Sequence, residues 1–189
     1  MRIIAGNYKG KKIKSVASSK TRPTLDRVKE AIFSMVSEKI DEAVVLDLFG
    51  GTGAISIEFL SRGAKFCYIN DVSKEAVSTI LYNIKALTNC SSCVKITLSD
   101  YMKCLKKLSK EEIKFDIVFL DPPYESKYAW KVLEYISENK GKILNDGGII
   151  IYEYDKSFDT EELNNIPHLE CIKTRFYGRV AVRLFKWRD

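Results

Sequence analysis

Histidine is almost absent from this sequence, proline is scarce, and apolar residues never run long. The one histidine, His168, follows Pro167, so imidazole-based chemistry has a single poor candidate that reads more simply as a solvated loop residue. The longest uninterrupted apolar runs are four or five residues, such as Ala43-Val44-Val45-Leu46, whereas a spanning helix needs about 20. A membrane span is excluded. The start, Met1-Arg2-Ile3-Ile4-Ala5-Gly6, turns basic without the apolar core of a secretory signal, so a cytoplasmic protein without membrane partners is expected. Five cysteines (Cys67, Cys90, Cys93, Cys104, Cys171) are odd in number and irregularly spaced in a chain of 189 residues, long enough to build a core without disulfides. Reduced thiols are expected. Cys90-x-x-Cys93 has no second pair and no histidine cluster to complete four ligands, so no metal site is expected.

What is present is charge, unevenly spread. The formal net charge is +6. Residues 1–30 carry nine basic groups (Arg2, Lys9, Lys11, Lys12, Lys14, Lys20, Arg22, Arg27, Lys29) against Asp26 and Glu30. Residues 173–189 carry six (Lys173, Arg175, Arg179, Arg183, Lys186, Arg188) against Asp189. The middle is therefore acidic, a polarity suited to a polyanion partner, since each cation that meets a phosphate releases counterions. Basic ends alone would fit solvated tails. Here Ile3, Ile4 and Ile13 at one end, and Phe176, Val180, Val182, Leu184 and Phe185 at the other, are interleaved with the charges, which predicts ordered strands.

Strand and helix patterns alternate along the rest. Val28, Ala31, Ile32, Met35 and Val36 lie on one helical face, predicting a helix over 25–39 capped by Thr24 or Asp26. A buried strand, 44–49, runs into Gly50-Gly51-Thr52-Gly53 and a helix from Ala54 to Leu60. Strands at 65–70, 94–98, 115–120 and 149–154 alternate with helices over about 77–87, capped by Ser73, then 102–108 and 127–138. Such alternation implies parallel pairing, hence a doubly wound α/β sheet in one domain. Two strands meeting at Gly178-Arg179 predict a terminal antiparallel hairpin.

Three acids stand at three successive strand ends. Asp47 precedes the glycine turn, where Gly51 and Gly53 let backbone approach a ligand closely. The turn is not a phosphate loop, since no G-x-x-x-x-G-K-[ST] occurs, and it fails the dinucleotide fingerprint because Ser56 stands where Gly or Ala is needed. Asp71 ends the second strand, where a carboxylate can take both ribose hydroxyls, although it also lies where a helix cap would. Asp100 ends the third. Together they suit a ligand with amine, ribose and adenine amino groups, S-adenosylmethionine. A further motif follows the fourth strand, Asp121-Pro122-Pro123-Tyr124. The prolines stiffen the segment and remove N–H donors, leaving the Asp121 carboxylate and the Pro122 carbonyl as acceptors for a planar exocyclic amine. Tyr124 offers a face for a flipped base. A rigid connector with no ligand would use the same prolines.

These residues resemble the class I S-adenosylmethionine-dependent methyltransferases, and within them the bacterial 16S ribosomal RNA guanine-N2 methyltransferase (RsmD-type) family. The resemblance rests on Arg2-Ile3-Ile4-Ala5-Gly6 with Lys9-Gly10-Lys11-Lys12, on Arg22-Pro23-Thr24-Leu25-Asp26-Arg27-Val28-Lys29-Glu30, on 47–53, on 121–124 and on Tyr177-Gly178. It implies a Rossmann-like fold with a basic N-terminal β-hairpin over 1–22. It places Thr24 and Arg27 near the sulfonium, and RNA on Arg2, Lys9, Lys11, Lys12, Lys14, Arg22 and Arg179. It also implies a monomer acting on the small ribosomal subunit or an assembly intermediate. Gly50 stands where the family commonly has Ala, and Ser73 where a second acid often follows the ribose acid. Two other functions use much of the same sequence: methylation of adenine N6 in DNA or of a protein glutamine amide, and ribosome assembly by RNA binding without catalysis.

Overall fold

The computed structural model describes residues 1–15, 26–88, 91–123, 127–158 and 161–188. They group into two compact units, Met1–Tyr101 and Met102–Asp189.

In the first unit, strands β1 (Val44–Asp47), β2 (Phe66–Asp71) and β3 (Val94–Leu98) are parallel, with β2 in the middle. Val44 pairs with Phe66 and Asp47 with Ile69, while Asp71 pairs with Leu98. The registers bring the carboxyl ends of all three strands to one edge. Helix α1 (Asp26–Met35) buries Val28, Ile32 and Phe33. It is shorter than the stripe suggested: Val36 leaves helical backbone at φ −122°, and a 3-10 turn covers Ser37–Lys39. Thr24 lies outside the described residues, and Asp26 is the first helical residue. Helix α2 (Ala54–Ser61) is buried along its whole length, and α3 (Lys74–Leu87) begins where Ser73 Oγ accepts the Ala76 N–H.

The N-terminal segment folds back on itself. Ile3 donates to Lys11 O at 2.9 Å, and Ile13 to Met1 O at 3.0 Å, with a single bridge between Arg2 and Lys12. This is a hairpin held by few backbone bonds, and its security comes from side chains. Ile3 and Ile13 are buried, and Glu58 of α2 accepts the N–H groups of Ile4 and Ala5. Glu58 is itself fully buried and ion-paired with Lys29 of α1 at 3.2 Å and Arg62 at 2.9 Å. The same Lys29 ammonium donates to Arg2 O.

In the second unit, β4 (Phe115–Leu120) and β5 (Leu144–Asp155) are parallel, and the order continues through β7 (Val180–Trp187) to β6 (Leu169–Tyr177), both pairings antiparallel. The expected terminal hairpin is therefore inserted with its second strand inward. Strand β5 starts at Leu144, earlier than its polar Asn145-Asp146-Gly147-Gly148 opening suggested. A register shift opposite Phe115 and Ile117 absorbs that segment, and a side chain at Gly148 would meet Leu144 and Asn145. Helices α4 (Tyr101–Lys110) and α5 (Lys127–Glu138) flank β4 in sequence. No helix among the described residues is long and apolar enough to cross a membrane.

Among the described residues, Cys67, Cys104 and Cys171 are in no disulfide. Cys93 is disulfide-bonded, which corrects the expectation of five reduced thiols; its partner lies outside the described residues. The buried thiol of Cys67 is pushed well up by desolvation and by Asp47, which disfavours its thiolate.

Candidate active site

The carboxyl ends of β1, β2 and β3 are cross-braced. Asn70 of β2 donates to Leu48 O at 3.2 Å and to Ser99 O at 3.0 Å, and accepts from Thr97 Oγ1 at 2.9 Å. Ser99 N–H in turn reaches Asp71 O. One buried amide thus fixes the spacing of the three ends that carry Asp47, Asp71 and Asp100. Nothing in the local sequence distinguished Asn70 from an ordinary strand-end residue.

The glycine turn is tied to the second acid. Gly51 N–H donates to Asp71 Oδ2 and Ser73 N–H to Asp71 Oδ1, both at 2.8 Å. Asp71 therefore holds the turn and the start of α3 together, while Ser73 caps α3. Gly51 has φ +54° and open space where a side chain would stand, which is what a close-lying ligand needs. Gly53, in left-handed backbone, opens α2. Gly50 is different: a β-carbon there would come within 2.5 Å of Ile69 Cγ2. This chain's glycine, in place of the commoner alanine, follows from that packing.

Asp47 is buried, and Ser56 Oγ donates to its Oδ2 at 2.7 Å, while Oδ1 has no hydrogen-bond partner among the described residues. Desolvation raises its pKa from 3.8 to about 7; the Ser56 bond opposes this, nearby Asp71 adds to it, and the Phe49 amide opposes it weakly. A buried carboxylate with one unpartnered oxygen fits a cationic group: an ammonium supplies both the missing donor and the opposite charge. Because the folded pKa lies above the unfolded one, the native state keeps a proton that the unfolded chain has lost between about pH 4 and pH 7. Stability of the ligand-free protein should fall across that window by up to about 1.4 kcal/mol per pH unit relative to Asp47→Asn. Urea unfolding of both proteins at several pH values checks this, and parallel curves would refute it.

Asp100 lies exposed after β3, and the next residue, Tyr101, has its ring centroid 5.6 Å from that of Phe49. In the second unit, Asp121 and Pro122 are half-buried at the end of β4 and Pro123 is exposed. Tyr124, Thr24 and Arg22 lie outside the described residues. Arg27 is exposed in the first turn of α1, and Arg179 is exposed in the β6–β7 turn. Lys9 and Lys12 are exposed, and neither ammonium has a partner among the described residues. Arg2 pairs with Asp26 at 3.3 Å, Lys11 donates to Leu87 O, and the Lys14 ammonium stands 4.6 Å from the Tyr82 ring centroid.

Parallel strands with an acid at or just past each carboxyl end, and a glycine turn opening on a buried carboxylate, are the frame of an S-adenosylmethionine-dependent methyltransferase of class I. The solved structure of the Escherichia coli protein yhhF matches over 100% of this chain and 98% of its own, with a TM-score of 0.84 at 26% identity, and the doubly wound, mostly parallel α/β fold is shared. The chain belongs to the family described as conserved hypothetical protein 95, the RsmD-type methyltransferases, whose model matches residues 1–186. YlbH of Bacillus subtilis is 35% identical over 188 residues, 100% of both chains. Ribosomal RNA small subunit methyltransferase D of Haemophilus influenzae is 31% identical over 186 residues, 98% of this chain and 93% of its own.

Proposed function

We propose that this enzyme methylates the exocyclic N2 amine of a specific guanine in 16S ribosomal RNA, in the cytoplasm, on the small subunit or an assembly intermediate of it. Residues 1–189 would act as one methyltransferase domain and a monomer, with 1–22 as its RNA-binding extension. The observation that carries the chemistry is the Asp121-Pro122-Pro123 segment at the end of β4, rich in acceptors and poor in donors. The substrate class is supported by the name of the H. influenzae relative and by the basic N-terminus.

The cofactor supplies an electrophilic methyl group on a sulfonium. Asp47 would accept from its ammonium, Asp71 from the ribose hydroxyls and Asp100 from the adenine amine, with Gly51 and Gly53 leaving room along the turn and Thr24 and Arg27 at the methionine end. The Asp121 carboxylate and the Pro122 carbonyl would accept the two N–H groups of the guanine amine. Its lone pair, otherwise delocalised into the ring, is then concentrated on nitrogen and directed at the methyl carbon. Tyr124 would stack on the base. As nitrogen took the methyl, the proton it loses would pass to the Asp121 carboxylate that already accepts that N–H.

Incubation with methyl-labelled S-adenosylmethionine and unmodified small subunits, followed by digestion to nucleosides, should put label in N2-methylguanosine. Label in N6-methyladenine of DNA, or in a protein amide, would replace this substrate with another. Cofactor-independent RNA binding with no transfer would support the assembly-factor role. Binding should also weaken with salt: log affinity against log salt should have a negative slope, less steep by just under one for each of Lys9→Ala and Lys12→Ala. A slope that ignores both substitutions would remove them from the phosphate contacts.

A further inference from the structure

Asn83, on α3, is buried, and its carboxamide is fully used between two parts of the protein. Its Oδ1 accepts the Lys14 N–H at 2.9 Å; its Nδ2 donates to Lys14 O at 3.0 Å and to Thr52 O at 2.9 Å. A side-chain amide is the one neutral group offering an acceptor and two donors in a plane. It therefore pairs with the backbone of Lys14 as a neighbouring strand would, and keeps one N–H for the turn that carries Gly51 and Gly53. On the extension side, the Lys14 ammonium lies over the ring of Tyr82, one residue before Asn83 and more than half exposed. Lys11 docks on the end of the same helix through Leu87 O. Aspartate at 83 would lose both donors and set a charge beside two carbonyls; alanine would leave three backbone groups without this partner, the Thr52 carbonyl in a buried place.

We infer that Asn83 is a positioning residue that sets the basic extension and the cofactor turn against each other, so that RNA and cofactor affinity depend on one side chain. This rests on the function proposed above. In steady-state methylation of small subunits, Asn83→Asp and Asn83→Ala should each raise KM for both S-adenosylmethionine and the RNA substrate by about tenfold, while kcat at saturation stays within about threefold of wild type. An amide that only supports the fold would lower the melting temperature and the active fraction and leave both KM values unchanged. That result, or a rise in only one KM, overturns the inference. Wild-type protein gives a test that needs no variant to fold: S-adenosylhomocysteine should slow hydrogen exchange at the Lys14 amide several-fold, and unchanged exchange despite measured binding also overturns it. A wild-type chain that binds no S-adenosylhomocysteine refutes the functional proposal itself, and the inference falls with it.

Discussion

Asp121→Ala should lower methyl transfer by roughly 10²- to 10³-fold, the usual effect of deleting one preorganised group that acts on the reacting centre, with cofactor affinity unchanged. The separation follows from the strand ends: Asp47 and Asp71 end β1 and β2 and Asp100 comes just after β3, whereas Asp121 follows β4. Asparagine at 121 keeps one acceptor oxygen and should lose less than alanine. Calorimetric titration with S-adenosylhomocysteine and a single-turnover labelling assay on the same samples measure the two effects. If both variants transfer methyl at wild-type rate, the acceptor loop does not act on the amine.

Glu58→Ala should be the most damaging single change to stability. It leaves Lys29 fully buried and without its ion-pair partner, and strips Ile4 and Ala5 of the acceptor for their N–H groups. Breaking one side of a buried pair costs about 3–5 kcal/mol, which in a chain of this size is on the order of 10 °C in Tm. Combining Glu58→Leu with Lys29→Met removes both charges and should recover part of the loss, but only part, because the two backbone amides and Arg2 O stay unpaired. Urea unfolding gives the free energies, and limited proteolysis after Lys9, Lys11 and Lys12 reports whether the N-terminal segment is released. A Glu58→Ala protein that unfolds like wild type would show the pair to be neutral.

The parts of this molecule written in local pattern were readable from sequence. Val44 to Asp47, the glycines and the apolar Ala54–Leu60 stretch specify strand, turn and helix by themselves, and Ser73 caps α3 as its position indicated. Long-range polar pairing was not readable. Glu58 is the one charged residue of a helix buried along its whole length, a sign that it must meet a cation, but nothing marks Lys29 as that cation because charge tallies carry no depth. Asn70 and Asn83 look like any polar residue until the backbone groups they satisfy are known. Cys93 was misjudged because chain length argues only that a disulfide is unnecessary.

Asp71 already accepts one backbone N–H on each carboxylate oxygen, from Gly51 and from Ser73. Each oxygen has a second lone pair, so a diol arriving there can be received without surrendering either bond. If Asp71 takes the ribose as proposed, the receptor is formed before its guest. Encounter should then be a one-step event, its observed rate rising linearly with nucleoside concentration and showing no plateau from a slow closing of the turn.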